Sequence, residues 1–317
     1  MADLSASLPG LAVIESSVHS AHLDLGIDDV ENSSGHSAGE IIMATNNARS
    51  DRKLQSVDPI WDAVRTEAEA AIAAEPALGG FIFATVLSHD RLEDAVCHRL
   101  AQRLNHADVD AQLISRTFEQ VLERSPDLGR AFRADLFAVR DRDPACTRFI
   151  EPLLYFKGFH ALVTHRFAHA LHDAGRRDFS LYLQSQSSRM FGVDIHPAAR
   201  VGVGVMFDHG TGITIGETAT IGDNCSLLHS VTLGGTGKEV GDRHPKIGEC
   251  VMIGAGAKVL GNITVGKCSR IAAGSVVLAD VPPNTTMAGV PAKAIGHAGC
   301  PEPSRTMDQQ LGGCGCD

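Results

Sequence analysis

The chain reads as α+β: an all-helical region, then a three-sided coil of short parallel strands from which one loop is extruded. Three observations predict this. Aliphatic residues recur every six positions at Ile247, Ile253, Val259, Val265, Ile271 and Val277. Residues 58–190 carry apolar residues at helical spacing, punctuated by Pro and Gly. Between Leu233 and Ile247 the spacing is fourteen rather than six, so eight residues are extra.

A period of six fits neither an amphipathic helix nor an alternating strand. It fits strands laid along the flat faces of a prism, one hexad to a face and about three to a turn. The aliphatic residue points inward. A second set four positions later (Val251, Ala257, Ile263, Ser269, Ser275) sits near the corner. Such units cannot bury a core singly and must stack. An earlier run, Ile215, Ile221, Leu227 and Leu233, keeps the same beat, with Ala219, Cys225 and Val231 as its second set. The eight extra residues fall inside GGTGKEVGDRHPK and must leave the coil as a loop carrying Arg243 and His244. Upstream, counting back six from Ile215 puts His209, in FDHGTG, where an aliphatic residue belongs. Two breaks in a strict repeat, both rich in charge or His, are where chemistry is expected. VPPNTTMAGVPAKAIG (281–296) closes the coil, because its prolines cannot continue strand pairing.

The helical region opens at Asp58-Pro59, a capping residue followed by a first-turn proline. Trp61, Val64, Ala68, Ala71 and Ile72 follow on one face until Glu75-Pro76. FIFATVL (81–87) is a second run. A third, 91–104, aligns Leu92, Val96, Leu100 and Leu104, and a fourth lies at about 111–123. Ser125-Pro126 starts a fifth, ended by the polar RDRDPA (140–145); two or three more span 150–190 with Gly158 and Gly175 as punctuation. The organisation is thus a mostly disordered extension (1–57), a helical domain (58–190), the coil (191–296) and a mobile tail (297–317).

At 317 residues the chain has room for two domains, and 44% hydrophobic residues give it a core. A net charge of −10 argues against a nucleic-acid surface. No run is long and apolar enough for a membrane span, and the N-terminus has no charged and apolar leader pattern, so the expected place is the cytoplasm. Eight scattered cysteines suit a reducing compartment. His165, His169 and His172 share a helix face, which reads as a polar face rather than a metal site, and no metal is expected.

The stretches DPACTRFIEPLLYFKGFHAL, VDIHPAARVGVGVMFDHGTGITIGET, SVTLGGTGKEVGDRHPKIGECVMIGAGAKVLGNI and AGSVVLADVPPNTTMAGVPAK resemble the serine O-acetyltransferases, members of the hexapeptide-repeat acyltransferase family, over roughly 58–296. The resemblance implies a left-handed parallel β-helix and transfer of acetyl from acetyl-CoA to L-serine, the step that precedes cysteine. It makes His209, in the DHGTG form of the family's DHATG-like motif, the catalytic base and Asp194 of VDIHPAA its orienting acid. It assigns Asp143, Asp208, Arg243 and His244 to serine binding, with Glu217 nearby, and CoA to backbone near Gly235 and Ala255. It further implies feedback inhibition by L-cysteine and assembly as a trimer or a dimer of trimers. The family's C-terminal Ile enters O-acetylserine sulfhydrylase; this chain ends in Asp317, a departure that weakens the expectation of that partnership.

The residue types suit the reaction. Serine's hydroxyl is a poor nucleophile, so a base must take its proton, and neutral imidazole does this near pH 7. A carboxylate behind the ring fixes its tautomer; Asp194 and His209 are fifteen residues apart, a little under one turn, which brings them onto neighbouring coils. A forked guanidinium suits the substrate carboxylate and the aspartates its ammonium. Direct transfer without an acyl-enzyme follows. The other readings are a different acceptor, such as a sugar, or a zinc hydratase on the same coil, which would need three converging histidines.

Overall fold

The computed structural model describes residues 58–237 and 240–310. The expected disordered extension (1–57) and the end of the tail (311–317) lie outside the described residues.

Helix α1 (Pro59–Ala74) starts where Asp58 Oδ1 accepts the Trp61 N–H at 3.2 Å, and it buries Trp61, Val64 and Ala68. A short helix α2 (Gly79–Ile82) runs into a π-turn (Phe83–Leu87). Helix α3 (Leu92–Leu104) buries the predicted Leu92, Val96, Leu100 and Leu104, and α4 (Ala111–Arg124) is capped by Asp110. Then come α5 (Leu128–Arg142), α6 (Ile150–Leu154), α7 (Lys157–Asp173) and α8 (Arg177–Phe191). Buried around most of its circumference, α7 is the hub; Phe167 stacks on Phe118 with ring centres 4.0 Å apart. Gly192, in the left-handed conformation at φ 69°, ends α8, and the first strand begins at the next residue.

The coil has three parallel faces. Face one stacks β1 (Val193–Ile195), β4 (Ile213–Ile215), β7 (Thr232–Gly234), β10 (Lys258–Leu260) and β13 (Val276–Val277). Face two stacks β2 (Arg200–Val201), β5 (Thr220–Ile221), β8 (Lys246–Ile247) and β11 (Thr264–Val265). Face three stacks β3 (Met206–Phe207), β6 (Ser226–Leu227), β9 (Met252–Ile253), β12 (Arg270–Ile271) and β14 (Thr285–Gly289), with β15 (Ala292–His297) antiparallel at its end. Ile253 pairs with Ile271 and Val259 with Val277, eighteen residues apart, so three hexads make a turn. The aliphatic residues of the two predicted runs, Ile215 to Leu233 and Ile247 to Val277, are 0–3% exposed. Ser269 and Ser275 are fully buried on the corner set and stay satisfied: Ser269 Oγ donates to Pro282 O at 2.9 Å and Ser275 Oγ accepts from Gly289 N.

Both repeat breaks keep the registers and expel the surplus. Leu227 pairs with Ile253 and Leu233 with Val259, twenty-six apart, so all eight extra residues leave between β7 and β8. The first break corrects the sequence reading. Phe207, not His209, holds the inward position: it pairs with Leu227, twenty residues on, and is 4% exposed. From Phe207 to Ile215 there are eight residues where six would keep step. Two extra residues therefore bulge out at the corner, and counting back across them misplaces the phase.

Two other expectations change. The face bearing His165, His169 and His172 is not a polar face: it packs on the first coil, where His165 is buried and His169 Nδ1 meets Pro197 O at 2.7 Å. The tail is packed rather than mobile through Asp308, with Ser304 1% exposed.

An unforeseen ion pair joins the helices to the coil. Asp135 of α5 and Arg166 of α7 form a forked pair, 2.6 and 2.8 Å, at 0% and 7% side-chain exposure. Arg166 Nη2 also donates to Gly202 O at 2.7 Å, and Asp135 Oδ1 accepts from Val205 N at 3.1 Å. A buried pair need not stabilise relative to an apolar one, but leaving one charge unpaired costs about 3–5 kcal/mol. Asp135→Leu should therefore lower stability in denaturant by about that amount, and Asp135→Leu with Arg166→Met should regain most of it. Equal loss in the single and double variants would contradict this.

Burial pushes His160 and His165 down to about 3. His160 Nε2 donates to Leu153 O at 2.8 Å, which suits the neutral ring. A depressed histidine binds its proton in the unfolded chain first, at about pH 6.5. Stability is thus complete above that pH and is lost as pH falls from about 6.5 toward 3. Thermal midpoints measured across this window should fall less in His160→Gln than in the wild-type chain; parallel curves would exclude the mechanism.

Candidate active site

The bulge after β3 is built by a close approach of two backbones. Gly158, in the first turn of α7, has no room for a side chain: a Cβ there would lie 2.0 Å from Phe207 O. Gly210 faces it, at φ 72°. His209 itself is in the left-handed region, at φ 57°, and its ring is 75% exposed. A non-glycine residue there is strained and persists because the surroundings fix it. The bulge is closed by Gly210 N to Asp208 O at 2.7 Å and Gly212 N to Gly192 O at 2.7 Å.

A cavity of about 370 Å³ opens between this bulge and the helices. Asp143, Asp208, His209 and Lys157 supply its polar groups; Val139, Phe156, Phe159, Met206 and Phe207 supply an apolar wall. His209 Nε2 lies 3.7 Å from Asp208 Oδ1. Burial raises the Asp208 carboxyl above the usual carboxylate range; the His209 ring draws it down while Asp143 pushes it up. Two carboxylates and an imidazole thus share one pocket, an arrangement that suits a cationic group between the acids and a proton acceptor beside it. Lys157 Nζ is hydrogen-bonded to Thr211 Oγ1, within the DHGTG motif.

Asp194, on β1, lies one strand from the bulge, its neighbour Val193 paired with Ile213. Its carboxylate accepts from Gln184 Nε2 of α8 at 2.7 Å rather than from the His209 ring.

Arg243, His244 and Glu217 lie elsewhere. They gather at the edge between faces one and two, whereas Asp208 and His209 occupy the edge between faces three and one. Arg243 Nη2 donates to Glu217 Oε2 at 2.7 Å, which lowers the Glu217 carboxyl. His244 lies flat on Gly216, where a Cβ would come within 2.0 Å of Nε2. Its Nδ1 accepts from Thr218 N at 3.1 Å, and burial together with Arg243 lowers its proton affinity. Gly235 sits on this same edge, its Cβ position 3.4 Å from Arg243 O. Ala255 stands on the other edge, above His209 in the column.

Sequence reasoning missed two residues. His229 stacks edge-on to His209, with ring centres 5.9 Å apart. It stands two past the inward Leu227, as His209 stands two past Phe207, so the signal existed once the phase was right. Lys157 had none: only the docking of α7 on the bulge brings it in. Among the described residues no group of three or more His, Cys, Asp or Glu side chains could hold a metal ion, and no helix is long and apolar enough to cross a membrane.

Residues 60–164 match the profile described as "Serine acetyltransferase, N-terminal", and 244–279 the bacterial transferase hexapeptide repeats. The serine acetyltransferase of Salmonella typhimurium is 50% identical over 259 residues, 82% of this chain and 95% of that one. The crystal structure of the Brucella abortus serine acetyltransferase in complex with coenzyme A superposes with a TM-score of 0.77 at 58% identity, covering 78% of this chain and 99% of that one. The Neisseria gonorrhoeae serine acetyltransferase in complex with serine does so at 0.73 and 49%, covering 76% and 99%. A serine acetyltransferase complex with cysteine does so at 0.78 and 46%, covering 80% and 98%. Helices that end on a parallel β-solenoid of about five turns, with identity at this level over nearly the whole length of these relatives, place this chain in the serine acetyltransferase family.

Proposed function

We propose that the chain transfers acetyl from acetyl-CoA to the L-serine hydroxyl, giving O-acetyl-L-serine and CoA, the first step from serine toward cysteine. The observation that carries the reading is the cavity in which Asp143, Asp208 and His209 meet. Serine's ammonium lies between the two carboxylates, offsetting the burial and, to a lesser degree, the Asp143 charge that raise Asp208. His209, neutral, takes the hydroxyl proton as the oxygen attacks the thioester carbonyl. The oxyanion is met by a backbone N–H of the GGTG segment (234–237). Collapse expels the CoA thiolate, which recovers the proton from the imidazolium. Asp194 moves from Gln184 to the His209 ring when substrate binds, fixing the tautomer and stabilising the imidazolium; hydrogen bonds that are long in the free enzyme tighten in this way.

Arg243 takes the serine carboxylate and His244 flanks it, but from a neighbouring copy. The two-edge distribution supports this: each edge of one chain carries half of the required groups. Packing the three–one edge of one coil against the one–two edge of the next completes the serine site. The same cleft brings Ala255 and Gly235 together along CoA. The assembly is a trimer or a dimer of trimers, and residues 58–190 serve oligomerisation besides supplying Asp143. L-Cysteine keeps serine's ammonium and carboxylate and so competes for the same cavity as a feedback inhibitor. The enzyme works in the cytoplasm, where both substrates are at hand.

His209→Ala should lower kcat about 10²–10⁴-fold with both KM values little changed. Asp194→Ala should lower kcat too, whereas Asp208→Ala should act mainly on the serine KM. Steady-state kinetics with serine and acetyl-CoA separate these, and near-normal turnover by His209→Ala would refute the mechanism.

Coexpressing His209→Ala chains with Arg243→Ala chains should restore activity that neither has alone, because mixed oligomers contain intact clefts. If each chain held a whole site, the mixture would stay as inactive as its parts.

A further inference from the structure

Asp143 sits in a tight turn of its own: its carboxylate Oδ1 accepts from Ala145 N at 2.8 Å and its carbonyl from Cys146 N at 3.0 Å. It is the cap of α5, its N–H bonded to Val139 O at 3.0 Å, and Pro144 after it has no N–H to give. That turn is joined directly to the end of α5, so it goes where the last turn of the helix is held. Three contacts hold that last turn, two of them directly from the C-terminal segment and one through the coil.

The first is buried. Arg142 Nη1 donates to Cys225 O at 3.1 Å and to Ser226 Oγ at 3.0 Å, and Ser226 Oγ in turn donates to Ser304 O at 2.7 Å. The second is a forked bond: Arg305 Nε and Nη2 to Asp141 at 2.8 and 3.2 Å. The third is apolar. Met307 packs on a buried cluster of Ala138, Val139, Cys146 and Met206, of which Val139 and Met206 also line the cavity. Arg270 Nη1 ties the segment down beyond, donating to Asp308 O at 3.0 Å. The one-turn helix α9 (Pro303–Thr306) gives the segment its shape.

We propose that residues 302–308 act as a positioning clamp for serine: they touch no substrate, but they hold the end of α5, and so Asp143 and the Val139–Met206 wall, where the ammonium binds. The inference rests on the reading of Asp143 given above. Misplacing a group that holds the ammonium equally before and during reaction weakens serine binding and leaves turnover nearly unchanged. An exposed ion pair alone contributes little, so Arg305 and Met307 must be removed together.

The test uses the full-length chain carrying Arg305→Ala and Met307→Ala. The serine KM should rise about tenfold, equal to ~1.4 kcal/mol, while the acetyl-CoA KM and kcat stay within about twofold. Arg305→Lys with Met307→Leu should recover most of the loss. Combined with Asp143→Asn, which should itself raise the serine KM, the tail substitutions should add nothing. The clamp is overturned by an unchanged serine KM, by an equal rise in both KM values, or by full additivity with Asp143→Asn. If Asp143→Asn leaves the serine KM unaltered while His209→Ala is inactive, the reading of Asp143 has failed and the clamp falls with it. Should the double variant not fold, Ser226→Ala cuts the Ser304 link from the coil side, with the same split expected at about threefold.

Discussion

Parallel strands two or three residues long have few hydrogen bonds each, so the coil stands only while successive turns stay in register. That requirement governs everything else in the molecule. Inward side chains must stack in columns, each column burying Ile, Val, Leu, Met or Phe at a few kcal/mol per residue. A residue that does not fit the eighteen-residue turn cannot be absorbed within a face and must leave at an edge. The two-residue surplus after Phe207 and the eight-residue surplus after Leu233 do so, and they carry His209 and Arg243 with them.

The same constraint explains why His209 and Arg243 stand on strained or irregular backbone while their support is packed. His209 adopts a left-handed conformation where Gly158 of α7 packs closely against Phe207 and Gly210 of the bulge. A stacked column lies beneath it. Side chains on a bulge anchored to such a frame have little order left to lose on meeting a ligand.

The helices do more than cover the coil. The Asp135–Arg166 pair locks α5 and α7 to the first turn at Gly202 and Val205. The cavity forms where those two helices meet the bulge: α5 brings Val139 and, at its cap, Asp143, while α7 brings Lys157 and Phe159. The C-terminal segment then returns to the end of α5, so one wall of the cavity is backed by residues more than a hundred positions away.

Periodicity alone made the coil legible, because a repeat of six has few structural solutions and every inward residue obeys it. Helix α1 was legible from Asp58-Pro59, and the extruded loop from simple counting. The motif residues Asp143, Asp208 and His209 were named from their resemblance to a family, and they share one cavity. What the sequence could not carry was phase across an irregularity: two extra residues shift every position before them, which hid the inward Phe207 and the histidine above the bulge, His229. Nor could it show the buried Asp135–Arg166 pair, whose partners lie thirty-one residues apart on different helices. The docked tail was equally hidden, since Gly-, Pro- and Ser-rich composition reads as mobile until a groove satisfies it. Local pattern determined the elements; which edges, helix ends and tail residues meet was decided by packing between elements far apart in the chain.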